Sequence, residues 1–241
     1  YRSGDSSSLE ASITIDKRNN RITPTSGFRL NWASELAGGF AIGDDGKLVN
    51  LLGGDFNFHR HQFNYRFYYP LVKKTPDALV FRFNTTLGAI FSTDGTMIPL
   101  LQRYRAGGIN SIRGFPILSL GPTTRYLLNY EPTNPDAPRT VGGYQIMATN
   151  IEMEFSILRA AGIRGVVFFD TGNAFDLFGY DRLEGADPEE IRRDRLPRIS
   201  AGGGVRWFSP MGPLRFEWGF PLDRREGEDN RQFEFTIGSF F

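Results

Sequence analysis

The chain has 241 residues with 28 basic and 27 acidic side chains spread evenly, a formal net charge of +1, and so lacks the global basic field that marks a nucleic-acid binder. It contains no Cys, which removes disulfide frameworks, thiolate metal sites and thiol nucleophiles together. Phe (22) and Gly (28) are abundant, yet mean hydropathy is slightly negative, and no apolar run approaches the roughly 18 to 20 residues a membrane-spanning helix needs. If such a chain crosses a bilayer, it must do so as a closed sheet. The opening residues, Tyr1-Arg2-Ser3-Gly4-Asp5, carry no signal-peptide pattern, as expected of a processed precursor or an internal start.

Residues 9–16, LEASITID, alternate without a break, with Leu9, Ala11, Ile13 and Ile15 on one face and Glu10, Ser12, Thr14 and Asp16 on the other. A period of two predicts a strand with two unlike faces. After the polar turn KRNNRITPTSG, the stretch FRLNWASEL keeps Phe28, Leu30, Trp32 and Leu36 in phase and predicts the second arm of a hairpin. A Gly/Asp-rich connection through Gly38, Gly39, Asp44, Asp45 and Gly46 leads to an aromatic strand from about Phe56 to Tyr69, where Phe63, Tyr65, Phe67 and Tyr69 share one parity. The next strand, LVFRFNTTLGAIF, sets Leu79, Phe81, Phe83, Leu87 and Phe91 against Arg82, Asn84 and Thr86. A fifth, weaker strand is read near 99–106. It is followed by a segment at 107–142 of about 35 residues rich in Gly, Pro and Asn, a length that in a compact domain is usually functional or disordered. Strands follow at about 143–158, 162–175, 198–208, 213–223 and 231–240, for a count of ten.

Short turns at 17–26, 71–78, 159–161 and 209–212 alternate with long connections at 37–54, 92–98, 107–142, 176–197 and 224–230. That is the asymmetry of periplasmic turns and extracellular loops in outer-membrane barrels. The expected fold is all-β, a transmembrane antiparallel β-barrel with an aromatic face toward lipid and a polar face inward. An even strand number permits closure with antiparallel neighbours throughout. A soluble β-sandwich shows the same alternation but buries its apolar face and seldom needs so many Phe on it.

The last strand, RQFEFTIGSFF, sends Phe233, Phe235, Ile237 and Phe241 outward and ends on an aromatic residue. It resembles the C-terminal β-signal by which bacterial outer-membrane barrels are recognised for assembly. The long connection carries GGINSIRGFPILSLGP, in which Gly107, Gly108, Arg113, Gly114, Phe115, Gly121 and Pro122 stand in an order that resembles the RGF loop motif of the BamA/TamA outer-membrane assembly superfamily. Three further motifs follow in order. Gly142-Gly143 open a strand containing Glu152, Glu154 and Phe155; Phe168-Phe169-Asp170-Thr171-Gly172 is similar to the family's F-x-D-x-G strand; Ser209-Pro210-Met211-Gly212-Pro213-Leu214-Arg215 is similar to its SP-x-GPL turn. The matching string covers roughly 105–241 and, within the superfamily, is most similar to the BamA family.

The resemblance implies a loop folded into the lumen, where an unpaired arginine would be strongly unfavourable. It pairs Arg113 with Asp170, which shares parity with Arg164 and Val166; Glu152 and Glu154 are further inward-facing candidates. A loop-to-lumen brace of Arg113, Gly114 and Phe115 against Asp170, Glu152 and Glu154 is therefore expected, with a bidentate contact fixing the loop to the wall. The alternative is a solvated loop arginine and an unrelated lumen aspartate.

The family also has periplasmic POTRA domains before a barrel of about sixteen strands, and it inserts other outer-membrane proteins through the seam of its first and last strands. Against that pattern, residues 1–241 read either as a C-terminal barrel fragment or as a shortened single barrel, with the POTRA domains absent and the gate formed by the strand of Phe233, Phe235, Ile237 and Phe241. Outer-membrane lipids, unfolded outer-membrane protein clients and assembly-machine lipoproteins are the implied partners. A two-partner-type secretion translocator or a passive pore is the competing reading. No cofactor or catalytic centre is expected: there is no G-x-S-x-G elbow, and His59 and His61 share a face but have no further His or Cys to complete a metal site. The DPEE run at 187–190 reads as solvated loop, and Arg192, Arg193 and Arg195 as extracellular cations facing lipopolysaccharide phosphates.

Overall fold

The computed structural model describes residues 4–41, 48–95, 98–122, 140–177, 195–210, 212–225 and 227–238. In chain order the strands are β1 (Ser8–Asp16), β2 (Gly27–Ala37), β3 (Gly39–Ala41), β4 (Leu48–Asn50), β5 (Phe58–Pro70), β6 (Leu79–Ser92), β7 (Gln145–Leu158), β8 (Ile163–Phe175), β9 (Arg198–Ser209), β10 (Gly212–Pro221) and β11 (Gln232–Ile237). Nine of them form one sheet in the order β1-β2-β5-β6-β7-β8-β9-β10-β11, and β3 with β4 makes a separate two-stranded hairpin. Each neighbouring pair in the sheet is antiparallel. Among the described residues β1 and β11 are its two edges and do not pair with each other.

The register turns the period-two pattern into two continuous surfaces. Trp32, Phe63, Leu87 and Met147 lie opposite one another in succession across β2, β5, β6 and β7 and belong to the outer face. Ile151, Val167, Phe169, Trp218, Phe233 and Phe235 are exposed at the same outward parity. The inner face is polar: Asn64 donates to the side chains of Asn84 at 3.1 Å and Thr86 at 2.9 Å, and Asn84 donates to Asn150 at 2.9 Å. β1 is exposed on both faces, as befits an edge.

The apolar core lies inside the curve of the sheet and is supplied largely by the connection between β6 and β7. One cluster joins Ala37, Phe58 and Ile90 of the wall to Phe56, Ile98 and Tyr144, with Tyr104 packed against it. A second joins Ala106, Ile112, Phe115 and Leu120 to Ala148 of β7. Gly88 of β6 makes room for this filling, since a Cβ there would stand 2.6 Å from the Tyr104 ring.

The fifth strand expected near 99–106 does not form, so the even-number argument for closure falls with it. Pro99 has no N–H to give a ladder, Gln102 N–H turns back to the Pro99 carbonyl at 2.9 Å, and only isolated bridges from Tyr104 to Gly143 and from Ala106 to Leu120 remain. The small hairpin of β3 and β4 lies where a plain connection was expected.

Candidate functional site

The inward rows of β6 to β10 carry an unusual density of charge. Arg164, Arg206 and Arg215 stand directly opposite one another across β8, β9 and β10, and like charges so placed repel. The arrangement is stable only because carboxylates interleave with them. Arg206 reaches Glu217 at 2.8 Å, Glu152 at 2.8 Å and Glu154 at 3.0 Å; Arg215 binds Glu217 at 2.8 Å; Arg164 binds Glu154 at 2.6 Å; and Arg82 of β6 binds Glu154 at 3.1 Å.

Into this wall the β6–β7 connection inserts Arg113. Its Nε and Nη2 donate to the two carboxylate oxygens of Asp170 at 2.7 and 2.6 Å, and its backbone N–H donates to Asp170 Oδ2 at 3.0 Å. Nη1 is shared between Glu152 at 2.6 Å and Glu217 at 2.9 Å. The guanidinium also lies 3.5 Å from the ring centroid of Phe168, a cation–π contact strengthened by the exclusion of water. Arg113 is 1% exposed and Asp170 fully buried, so each is held by its partners and neither is solvated. Five strands and the loop thus meet on one charge cluster.

The residues beside Arg113 complete the fit. Gly114 has φ +86°, a conformation that favours glycine, and its backbone rests on Gly219 of β10, where a Cβ would stand 2.3 Å from Gly114 N. Gly202 on β9 pairs with Gly219, so the loop runs over a strip of wall without side chains. Phe115 is buried in the second apolar cluster, with the Arg198 guanidinium 4.6 Å from its ring centroid. Arg198 is in turn clasped by Asp223 at 2.8 Å and Glu228 at 2.7 Å. Farther along, Asn150 donates to the Ser111 carbonyl at 2.6 Å.

The structure therefore brings Arg113, Gly114, Phe115, Asp170, Glu152 and Glu154 together in space. Reading the sequence missed Arg206, Glu217, Arg215 and Arg82 as members of the cluster. The signal was available at β10, where Glu217 falls between the outward Phe216 and Trp218, and a charge at inward parity in a barrel wall calls for a partner. Phe233, Phe235 and Ile237 project outward from β11, with Phe233 packed at a tilt against Trp218 and Phe235 against Phe216, each at 4.9 Å between centroids. Phe241 lies outside the described residues, as do Arg192, Arg193 and residues 187–190. His59 and His61 sit on the outer face with centroids 4.1 Å apart, and among the described residues no group of three metal-ligating side chains occurs.

An antiparallel wall with aromatic groups outside, buried ion pairs inside and a loop folded against its inner face is that of an outer-membrane β-barrel. A sequence model of the Omp85 superfamily domain matches residues 1–241, and the chain belongs to that superfamily. It is 29% identical over its whole length to the outer membrane protein assembly factor BamA of Nitratidesulfovibrio vulgaris, of which it spans 26%. It is 26% identical over 99% of its length to a SAM50-like protein of Schizosaccharomyces pombe, of which it spans 46%. The crystal structure of BamA from Haemophilus ducreyi lacking POTRA domains 1-3 superposes with a TM-score of 0.75 at 26% identity, covering 96% of this chain and 42% of that one. The chain thus spans about a quarter of the bacterial relative's length, and it is a β-barrel wall of the bacterial outer membrane.

Proposed function

We propose that this domain takes part in folding and inserting other β-barrel proteins into the outer membrane, with the edge of β11 receiving a client strand and the Arg113 loop bracing the wall behind it. The observation that carries this reading is the weakness of the last strand. β11 has 6 residues against 10 in β10, and its far edge has no strand partner among the described residues. A short terminal strand is readily opened, and its edge N–H and C=O groups can then pair with an extended segment. Glu234 of β11 also stands directly opposite Glu217 of β10, and its Oε1 is buried without a hydrogen-bond partner; like charges across a strand pair weaken it.

The brace supports the same reading. Arg113 ties the loop to Glu217 on the strand next to β11, and a Cβ on Gly108 of the loop would lie 3.4 Å from Glu234. The loop thereby reaches the strands beside the edge as well as β7 and β8. We infer that the nine-stranded sheet of the described residues, whose two edges do not pair with each other, is part of a larger wall, and that POTRA domains lie outside these residues. Clients, lipids and assembly lipoproteins are the partners this role calls for. No catalytic step is invoked, because folding and burial in lipid supply the driving force.

The test introduces cysteines into a stretch of 241 residues that has none of its own. Single-cysteine variants along β11 of the intact protein, Phe233→Cys to Thr236→Cys, are oxidised in membranes with a client barrel carrying a cysteine in its terminal strand. Crosslinks in one register support the reading; their absence at β11, with crosslinks formed instead at outward positions of β8, refutes it.

A further inference from the structure

The outer face carries a groove of about 550 Å³ near the rim bearing the long connections. Its floor is a single row across four strands, His61, Ala89, Gln145 and Phe175, each opposite the next. The small side chain of Ala89 makes the dip. The adjacent row, with Trp32, Phe63, Leu87 and Met147, forms an apolar flank. At the upper side the chain leaving the β8–β9 connection folds over the wall, with Asn173 donating to the Leu196 carbonyl at 3.1 Å, and places Arg195 against the groove.

Four polar atoms of this groove are unsatisfied. Nε and Nη2 of Arg195, Nε2 of Gln145 and Nδ1 of His61 are all buried without hydrogen-bond partners. Gln145 is 8% exposed, and its orientation is fixed because Oε1 accepts the Leu177 N–H at 2.9 Å, leaving the amide nitrogen as the unmet group. Buried donors left unpaired are costly, and native structures rarely gather several in one place without a ligand. Arginine is a permanent cation with donors only, and an amide nitrogen likewise only donates. The site therefore calls for an anionic acceptor, while its floor and flank call for an alkyl chain.

We propose that this groove binds one phosphate-bearing lipid of the outer leaflet, its phosphate accepting from Arg195 and Gln145 and an acyl chain lying across Ala89 between Leu87 and Phe175. A planar guanidinium suits a phosphate through paired N–H donors, and the rim position is that of a headgroup, with the apolar flank extending toward the hydrocarbon. Of the three arginines read from the sequence as facing lipid phosphates, Arg195 is the one within the described residues. The proposal rests on the outward parity of these rows and is independent of any role in client insertion.

The experiment is native mass spectrometry of the intact, delipidated protein in detergent, challenged separately with dioleoylphosphatidic acid, dioleoylglycerol and inorganic phosphate. One retained phosphatidate is expected, with at least about tenfold preference over dioleoylglycerol and no retention of inorganic phosphate. Arg195→Ala and Gln145→Leu each reduce that occupancy, and Ala89→Phe, which fills the dip, abolishes it; heat-modifiable migration in the same samples verifies folding. Equal retention of phosphatidate and dioleoylglycerol, or phosphatidate retention unchanged by Arg195→Ala and Ala89→Phe, overturns the proposal. Retention of inorganic phosphate as strong as that of phosphatidate overturns it in favour of a plain anion site.

Discussion

Asp170 accepts three hydrogen bonds from Arg113, one from its backbone N–H at 3.0 Å and two from its guanidinium at 2.7 and 2.6 Å, so a single carboxylate fixes both the main chain and the side chain of the loop. Replacing Arg113 by Ala strands Asp170 and removes the shared donor from Glu152 and Glu217. Breaking a buried pair by deleting one partner costs about 3 to 5 kcal/mol. Arg113→Ala is expected to lower the temperature at which the folded form disappears in heat-modifiability gels and to open 107–122 to protease. Arg113→Lys recovers little, because one ammonium cannot replace a planar fork.

The glycine strip under the loop gives a steric prediction. A Cβ on Gly219 would stand 2.3 Å from Gly114 N and 2.5 Å from Gly114 Cα, both backbone atoms that cannot rotate away. On Gly203, at outward parity, it would meet Val166 O at 3.1 Å and then only Val167 at 3.7 Å. Limited proteolysis of Gly219→Ala should show the loop lifted, and Gly203→Ala, whose Cβ meets no loop atom, should leave the loop in place.

The outer face predicts a depth-dependent penalty. Ile151 sits mid-strand in β7, outward and exposed. An arginine there costs about 2 to 4 kcal/mol if the position is near the bilayer midplane, read by urea unfolding in lipid vesicles. A negligible penalty would mean that this face does not meet hydrocarbon.

Acid should loosen the 222–231 connection. Burial opposes ionisation of Glu228, but the Arg198 hydrogen bond and the Arg225 N–H at 2.9 Å outweigh it and hold the carboxyl below its ordinary value of 4.5. A depressed folded pKa stabilises above the unfolded value and is lost as pH falls through the folded one. Hydrogen exchange across 222–231 should therefore be protected at neutral pH and lose protection only below the usual glutamate range. In Glu228→Gln the acid-dependent part should vanish.

Glu234 provides the converse of a damaging change. Replacing its carboxylate opposite Glu217 relieves a destabilising like-charge juxtaposition. Glu234→Gln should slow exchange of the β11 amides and, on the proposed role, slow client insertion as the edge is held more firmly.

Much of the wall was legible because a barrel strand displays its two solvents in alternate residues. The run from Leu9 to Asp16 and that from Leu79 to Phe91 announced strands that begin within a residue of the observed ones. Residues 99–106 misled because Leu100, Leu101 and Tyr104 supply strand-forming side chains, whereas the backbone is spent on turns and on filling the lumen. β3 and β4 were hidden by the glycines and aspartates around them. The pairing of Arg113 with Asp170 came from family resemblance, not from spacing, since 57 residues separate them. Arg206 and Glu217 escaped notice because period two identifies a face but not which inward charges converge once the loop is inserted.

The proposed role in client insertion requires the loop held by Arg113 to brace the wall. Its most direct test is the rate at which a urea-unfolded client barrel folds into vesicles containing the intact protein, wild type against Arg113→Ala, with protease accessibility of the loop followed in the same vesicles. A loosened loop and slowed client folding are expected together; client folding at the wild-type rate by protein whose loop is demonstrably loose would rule the bracing role out.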